Sequence, residues 1–270
     1  KAAPHVTYDA RTFFDTTAVS MASGAGYAFS PDGSKLLLAN DASGVWNAAS
    51  LPVAGGDPTP LTSSPDNATY AVSYFPADER LLVTADKGGN ELNHIYVREA
   101  DGALKDITPA EKAKAGFLGW SDDGKTLWLT SNERNPQMFD VYAYDATTFA
   151  KKMIFKNEGY FADAITGDGK YLALTKEHSS ANSDLFLVDL SKSNAKPELI
   201  SQHTGDAAYS AYEFTPDNKA LVYGTDEHGE YNQAWTYDLA TKEKKELVKA
   251  DWDVMFVAYS DTSKYRVSAV

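Results

Sequence analysis

The chain has 270 residues, 43% apolar and 12% aromatic, with a formal net charge of −13 and no cysteine. This is the composition of a folded domain large enough to bury a core, and no apolar run approaches the length of a bilayer span, so membrane insertion is not expected. The charge repels phosphate backbones and argues against nucleic-acid binding, while the missing thiols exclude disulfides, thiolate metal sites and cysteine nucleophiles.

Residues 1–26 precede any repeat. Tyr8 to Val19 sets Phe13 and Phe14 among polar residues, the pattern of a short segment packing on the repeat array. The chain opens at Lys1 with neither an initiator Met nor an apolar leader, as after signal-peptide removal or trimming of the gene product. A periplasmic or secreted location is the expectation.

From residue 27 one phrase recurs six times, a Ser/Pro/Asp/Gly turn followed at once by an apolar run. It reads Ser30-Pro31-Asp32-Gly33 before Leu36, Pro76-Ala77-Asp78-Glu79 before Leu81 and Ser121-Asp122-Asp123-Gly124 before Leu127. It returns as Gly167-Asp168-Gly169 before Tyr171 and Leu172, Thr215-Pro216-Asp217-Asn218 before Leu221, and a worn Ser260-Asp261-Thr262-Ser263 before Tyr265 and Arg266. The steps from Leu36 through Leu81, Leu127, Leu172 and Leu221 to Arg266 are 45, 46, 45, 49 and 45 residues. A period in the forties is that of β-propeller blades.

The third repeat shows what such a unit holds. Ala115 to Ser121, Lys125 to Asn132, Asp140 to Asp145 and Lys152 to Lys156 read as four strands, the middle two alternating apolar and polar positions. The Asp-Gly between the first two supplies the positive φ of a tight hairpin turn. A lone four-stranded sheet cannot bury both faces, so neighbouring blades must cover each other. The expected fold is an all-β propeller of four-stranded blades over residues 27–270, with five complete repeats and part of a sixth. Because the sixth repeat stops one strand after its turn, the propeller is expected to be incomplete, with its remaining strands in sequence beyond Val270.

The search for chemistry returns mostly absences. The nearest approach to a Gly-x-Ser-x-Gly elbow, Gly119-Trp120-Ser121-Asp122-Asp123-Gly124, has one residue too many and sits on a repeat turn. No phosphate-binding loop or dinucleotide fingerprint occurs, so no cofactor is expected. His5, His94, His178, His203 and His228 lie apart without metal-ligand spacing. Asp226-Glu227-His228-Gly229-Glu230 reads as an acidic loop rather than a metal site, and Asp251-Trp252-Asp253 as solvated or turn-capping carboxylates. The lysines at 112 and 114, and at 242, 244 and 245, read as solvated loops. Asn67-Ala68-Thr69 is a glycosylation acceptor only where the source glycosylates.

Two loops stand above this background. Asp86 to His94 and Ser131 to Asp140 fill the same slot, between second and third strands, in successive repeats, and both are long and polar. These stretches carry a resemblance. Phe13-Phe14-Asp15 leading to Phe29-Ser30-Pro31-Asp32-Gly33, then Gly88-Gly89-Asn90-Glu91-Leu92-Asn93-His94-Ile95-Tyr96-Val97, then Asn132-Glu133-Arg134-Asn135-Pro136 with Phe139-Asp140-Val141-Tyr142, together resemble bacterial peptidases of the prolyl oligopeptidase family. The resemblance covers essentially the whole chain and falls on that family's amino-terminal propeller.

It implies a two-domain serine peptidase whose α/β-hydrolase domain, with its Ser, Asp and His triad, follows the propeller. That domain would be the partner of this chain, short peptides the substrates, and the propeller a non-catalytic gate selecting by size. Related aminopeptidases hold a substrate's terminal ammonium with acidic propeller side chains and sometimes a peptide carbonyl with an arginine. By loop position Glu91, Glu133 and Arg134 are the candidates here, against a structural salt bridge as the competing reading. The alternative function is a TolB-like periplasmic propeller that binds partner proteins without enzymatic activity. A third is a sugar-active propeller enzyme, which would need paired carboxylates such as Asp163 and Glu213.

Overall fold

The computed structural model describes residues 7–24, 26–260 and 262–270, which form 22 β-strands and one short helix. His5 and Asp261 lie outside the described residues. Contacts divide the chain into two compact units, Lys1–Pro109 and Ala110–Val270.

The first unit begins with α1 (Ala10–Phe14), capped by Asp9, whose carboxylate accepts from the Thr12 amide at 2.9 Å. None of its residues is buried, and Phe13 and Phe14 face solvent. Sheet 1 comprises β1 (Val19–Met21), β2 (Lys35–Asn40), β3 (Asn47–Pro52) and β4 (Thr59–Pro60), paired antiparallel in chain order. The segment before the first repeat thus supplies a strand to it. Sheet 2 is β5 (Thr69–Tyr74), β6 (Leu81–Ala85), β7 (His94–Arg98) and β8 (Leu104–Asp106). Leu37, Ala39 and Ala48 of sheet 1 pack with Ala71, Tyr74, Leu81 and Val83 of sheet 2, so the apolar faces these two sheets turn to each other are covered.

The second unit repeats the plan. Sheet 3 is β9 (Ala115–Trp120), β10 (Thr126–Asn135), β11 (Met138–Asp145) and β12 (Lys151–Phe155). Sheet 4 is β13 (Phe161–Ile165), β14 (Tyr171–Ser179), β15 (Asn182–Asp189) and β16 (Glu198–Leu199). Sheet 5 is β17 (Tyr209–Phe214), β18 (Ala220–Thr225), β19 (Gln233–Asp238) and β20 (Lys244–Val248), and the hairpin of β21 (Phe256–Tyr259) and β22 (Arg266–Ala269) completes the unit. The first strands adjoin, β13 lying against both β9 and β17, and β17 against β21. Leu118, Trp128 and Val141 meet Leu172, Leu174 and Val188 between sheets 3 and 4. Leu185, Leu187 and Ile200 meet Tyr209, Leu221 and Tyr223 between sheets 4 and 5. The fold is therefore a run of four-stranded, blade-like antiparallel sheets.

The repeated turn has a reason at each position. Across it Ser30 N donates to Lys35 O, and Lys35 N donates to Ser30 Oγ at 3.0 Å. The same pair of bonds joins Ser121 to Thr126, Thr166 to Tyr171, Thr215 to Ala220 and Ser260 to Tyr265. The Ser or Thr hydroxyl in turn donates to the Asp two residues on: Asp32 at 2.6 Å, Asp123 at 2.8 Å, Asp168 and Asp217 at 2.7 Å. Gly33, Gly124, Gly169 and Asn218 then take φ of 57 to 72°, the left-handed conformation that glycine and asparagine tolerate. The connection is a four-residue loop with one left-handed position, not the two-residue hairpin implied by Asp-Gly alone.

In the second unit three of these turns meet. Asp122 N donates to Gly167 O at 2.8 Å, Gly167 N to Asn218 Oδ1 at 2.7 Å, and Asn218 Nδ2 to Asp122 Oδ2 at 2.7 Å. This triangle joins sheets 3, 4 and 5. A second repeated device is a bulge in the first strand. In β5, β9, β13 and β17 the register skips one residue, leaving Val72, Leu118, Asp163 and Tyr212 unpaired at the same point of the repeat.

Candidate functional site

In the first unit the stretch from Asp86 to Asn93 joins β6 to β7 as an irregular loop held by its own polar groups. The Asp86 carboxylate accepts from Glu91 N at 2.8 Å, Asn90 Oδ1 from Leu92 N at 3.0 Å, and Asn67 Oδ1 from Gly88 N at 2.6 Å. Gly88, Gly89 and Glu91 all have φ between 60 and 74°. A glutamate there is uncommon and marks a tightly specified turn. Its side chain is exposed, and among the described residues no hydrogen bond or ion pair engages its carboxylate. His94 Nδ1 lies 2.7 Å from Asp106 and fixes the foot of the loop.

In the second unit the corresponding slot is not a loop. The β10 and β11 strands run on through it and close in a short turn with Asn135 opposite Met138, which corrects the expectation for Ser131 to Asp140. Polar groups extend the hairpin where apolar alternation stops. Asn132 Oδ1 accepts from Lys114 N at 2.6 Å and its amide donates to Pro136 O at 2.9 Å. Arg134 reaches back along the hairpin to Asp140, Nε to Oδ2 at 2.6 Å and Nη2 to Oδ1 at 2.8 Å, and donates also to Asn157 O at 3.0 Å. Asp140 is fully buried and accepts a third bond from Asn157 N at 2.7 Å. Its charge is matched by a planar bidentate partner.

Glu133 lies on the same hairpin, both carboxylate oxygens 2.6 Å from Lys151 Nζ, which also stands 5.2 Å from the Tyr142 ring centroid. Burial, with the charge of Glu133 added, pushes the Tyr142 hydroxyl up to about 12. Glu133 thus already holds one ammonium group, that of Lys151, at the protein surface. Of the three candidates, Glu133 and Arg134 come together on one hairpin and Glu91 belongs to the other unit.

Sequence reasoning missed the hairpin of β14 and β15, which is as long as its neighbour. Near its tip Asp184 lies 2.8 Å from His178 Nε2 and 3.4 Å from His203 Nε2, and Ser201 Oγ donates to it at 3.3 Å. The one long step, from Leu172 to Leu221, was no signal for it, because its extra residues fall after β15: Leu172 pairs with Val188 and Leu221 with Tyr237 across equal spans. Elsewhere, Asp251-Trp252-Asp253 touches the residues just after the Asp226–Glu230 motif: Asp253 accepts from Asn232 N at 2.8 Å and the Tyr231 and Trp252 rings lie 5.9 Å apart. Asp226 caps Ala208 N at 2.8 Å, and Glu227 accepts from the Tyr209 hydroxyl. Asp163 accepts from Thr175 Oγ1 at 2.7 Å, and Glu213 from Tyr259 N at 2.6 Å.

Comparison with known proteins agrees with this architecture. The model of the prolyl oligopeptidase N-terminal β-propeller domain matches residues 62–269. The dipeptidyl aminopeptidase BIII of Pseudoxanthomonas mexicana is 32% identical over 143 residues, a match that spans 50% of this chain but only 21% of that protein. Among solved structures, an oligogalacturonate lyase in complex with manganese superposes with a TM-score of 0.71 at 18% identity, over 92% of this chain and 70% of its own. Prolyl oligopeptidase B from Galerina marginata gives 0.64 at 14% identity, over 93% of this chain and 41% of its own. A TolB from Acinetobacter baumannii gives 0.54 at 21%, over 85% and 53%. At these identities the structures share the fold alone. The family match across most of the length, resting on sheets that recur at the blade period, makes this chain a member of the prolyl oligopeptidase family's N-terminal β-propeller domains.

Proposed function

We propose that the chain is the access-controlling propeller of a serine peptidase, admitting short peptides to an α/β-hydrolase domain of the same protein. The observation that carries this reading is the family match over residues 62–269, and the identity to a dipeptidyl aminopeptidase supports peptides as substrates. Acyl transfer through an activated serine belongs to the hydrolase domain, since these 270 residues hold no Gly-x-Ser-x-Gly. The propeller contributes exclusion of folded protein and orientation of the peptide. A periplasmic or secreted location is part of the proposal and is checked by fractionating the source cells.

Within this reading Glu133 takes the ammonium of a peptide in place of Lys151. Glu91, with its unengaged carboxylate, is a second candidate for the same chemistry. Arg134, committed to Asp140 and Asn157, serves mainly to hold the hairpin that presents Glu133.

The test compares the natural full-length product with this chain, using short chromogenic peptides, a folded protein substrate and a serine-directed phosphonate. The full-length protein is expected to be labelled and to cleave only the short peptides, while this chain stays inert. Glu133→Gln in the full-length protein is expected to lower kcat/KM about tenfold, the loss of roughly one charge-assisted contact. An unchanged kcat/KM in Glu133→Gln and Glu91→Gln removes the site but leaves the gate. A full-length product that neither cleaves nor reacts removes the peptidase reading, and a partner-binding propeller of TolB type takes its place.

A further inference from the structure

The repeated bulge in the first strands is a natural internal comparison. At that unpaired position sheet 2 carries Val72, sheet 3 Leu118 and sheet 5 Tyr212, whereas sheet 4 carries Asp163. Val72 and Leu118 are buried apolar residues. Leu118 belongs to the cluster joining sheet 3 to sheet 4, and Tyr212 packs on the cluster joining sheet 5 to the β21–β22 hairpin. The position is therefore built to seal one sheet against the next. In sheet 4 alone among these four it holds a carboxyl group.

We propose that Asp163 is a proton-binding residue built into the joint between sheets 4 and 5, sealing that joint when protonated and loosening it when ionised. Among the described residues its hydrogen-bonding neighbour is Thr175, whose hydroxyl donates at 2.7 Å and whose backbone also bonds to it, and both groups are neutral. Among the described residues, no ion pair joins it to a cation of the surrounding strands. Strand β9 has no titratable side chain, and β17 carries Glu213, already bonded to Tyr259 N, together with the phenols of Tyr209 and Tyr212. Strand β14 adds Glu177, a like charge, and Lys176, which lies over the Tyr160 ring, with His178 bound to Asp184. The acid of β11, Asp140, is taken by Arg134, and Glu227 beyond β18 by the Tyr209 hydroxyl. In agreement with this geometry, burial raises the Asp163 carboxyl from its ordinary 3.8 to about 7, with the Thr175 bond opposing and the charge of Glu177 adding.

The sign comes from linkage. A carboxyl that holds its proton more tightly in the folded state contributes stability that is complete below about pH 4 and gone once the pH has risen through about 7. The joint is thus tightest in mildly acidic conditions.

The experiment is a pH series from 5 to 8.5 on the 270-residue chain, reading hydrogen-exchange protection of β13, β14 and β17 corrected for intrinsic rates, with the Asp163 carboxyl shift followed by carbon NMR. The wild type is expected to lose about tenfold or more in protection across neutral pH, each pH unit below the folded midpoint being worth a factor of ten. Asp163→Asn should lose little, and Asp163→Val, which restores the residue of sheet 2, should hold its protection throughout. A carboxyl titrating in the ordinary aspartate range, or the same fall in protection in wild type and Asp163→Asn, overturns the proposal. The NMR titration needs only the wild type, so a poorly folding variant does not blunt the test.

Discussion

Gly167 is a residue with no room to change. A methyl group there would lie 1.8 Å from Asp122 Oδ1, inside the triangle of turns, so either the Asp122 side chain or the turn itself must move. Gly167→Ala is expected to cost about 2 kcal/mol by denaturant unfolding, as overpacking with the loss of a hydrogen bond does. The aspartates of the turns make a prediction of opposite pH sense to Asp163. The Ser30 hydroxyl, then the amide and hydroxyl of Ser34, lower Asp32 to about 2, and the Lys125 amide and Ser121 hydroxyl lower Asp123 in the same way. Carboxyls held below their unfolded value contribute stability that is present above about pH 4 and lost as the pH falls through about 2. Acid unfolding of Asp32→Ala should accordingly be less steep than that of the wild type between pH 4 and 2. Identical acid limbs would show that these bonds do not favour the ionised form.

The β10–β11 hairpin shows what one element asks of its polar residues. Removing the buried acid by Asp140→Ala strands the Arg134 guanidinium and three bonds at once, and a loss of about 3 kcal/mol is expected from thermal or denaturant unfolding. Arg134→Ala should open the hairpin tip to hydrogen exchange, and it leaves Glu133 mispositioned. This element also marks the limit of reading the sequence. The bodies of its strands are legible because Leu127, Leu129, Val141 and Ala143 recur at period two after the recognisable turn at Ser121 to Gly124. Asn132-Glu133-Arg134-Asn135-Pro136 looks like a loop because its strand character comes from a contact with Asp140, six residues on, and from the Lys114 amide, neither of which has a local signature. Glu133 and Arg134 are singled out by the slot they fill in the repeat, which is topological and readable. Their partners, Lys151 and Asp140, are set by register and are not. The bulge at Asp163 is equally silent, since no glycine marks it.

Over the whole molecule the dominant sequence-level quantity is the net charge of −13. Self-repulsion of that size is screened within about 10 Å at 0.1 M salt, so raising NaCl from about 0.02 to 0.2 M is expected to raise the unfolding midpoint. A midpoint that falls instead would mean that attractive pairs such as Lys151 with Glu133 outweigh the net field. The triangle of Asp122, Gly167 and Asn218 has a consequence in time as well as in energy. Its longest link closes a loop of 96 residues, from sheet 3 to sheet 5 across the whole of sheet 4. Contacts so remote in sequence can form only after the sheets between them have condensed, so they are absent when the rate-limiting barrier of folding is crossed. They act instead as a clasp on the way out. Asn218→Gly, which keeps the left-handed backbone but deletes both side-chain bonds, should leave refolding nearly unchanged while unfolding accelerates about tenfold, in proportion to the stability lost.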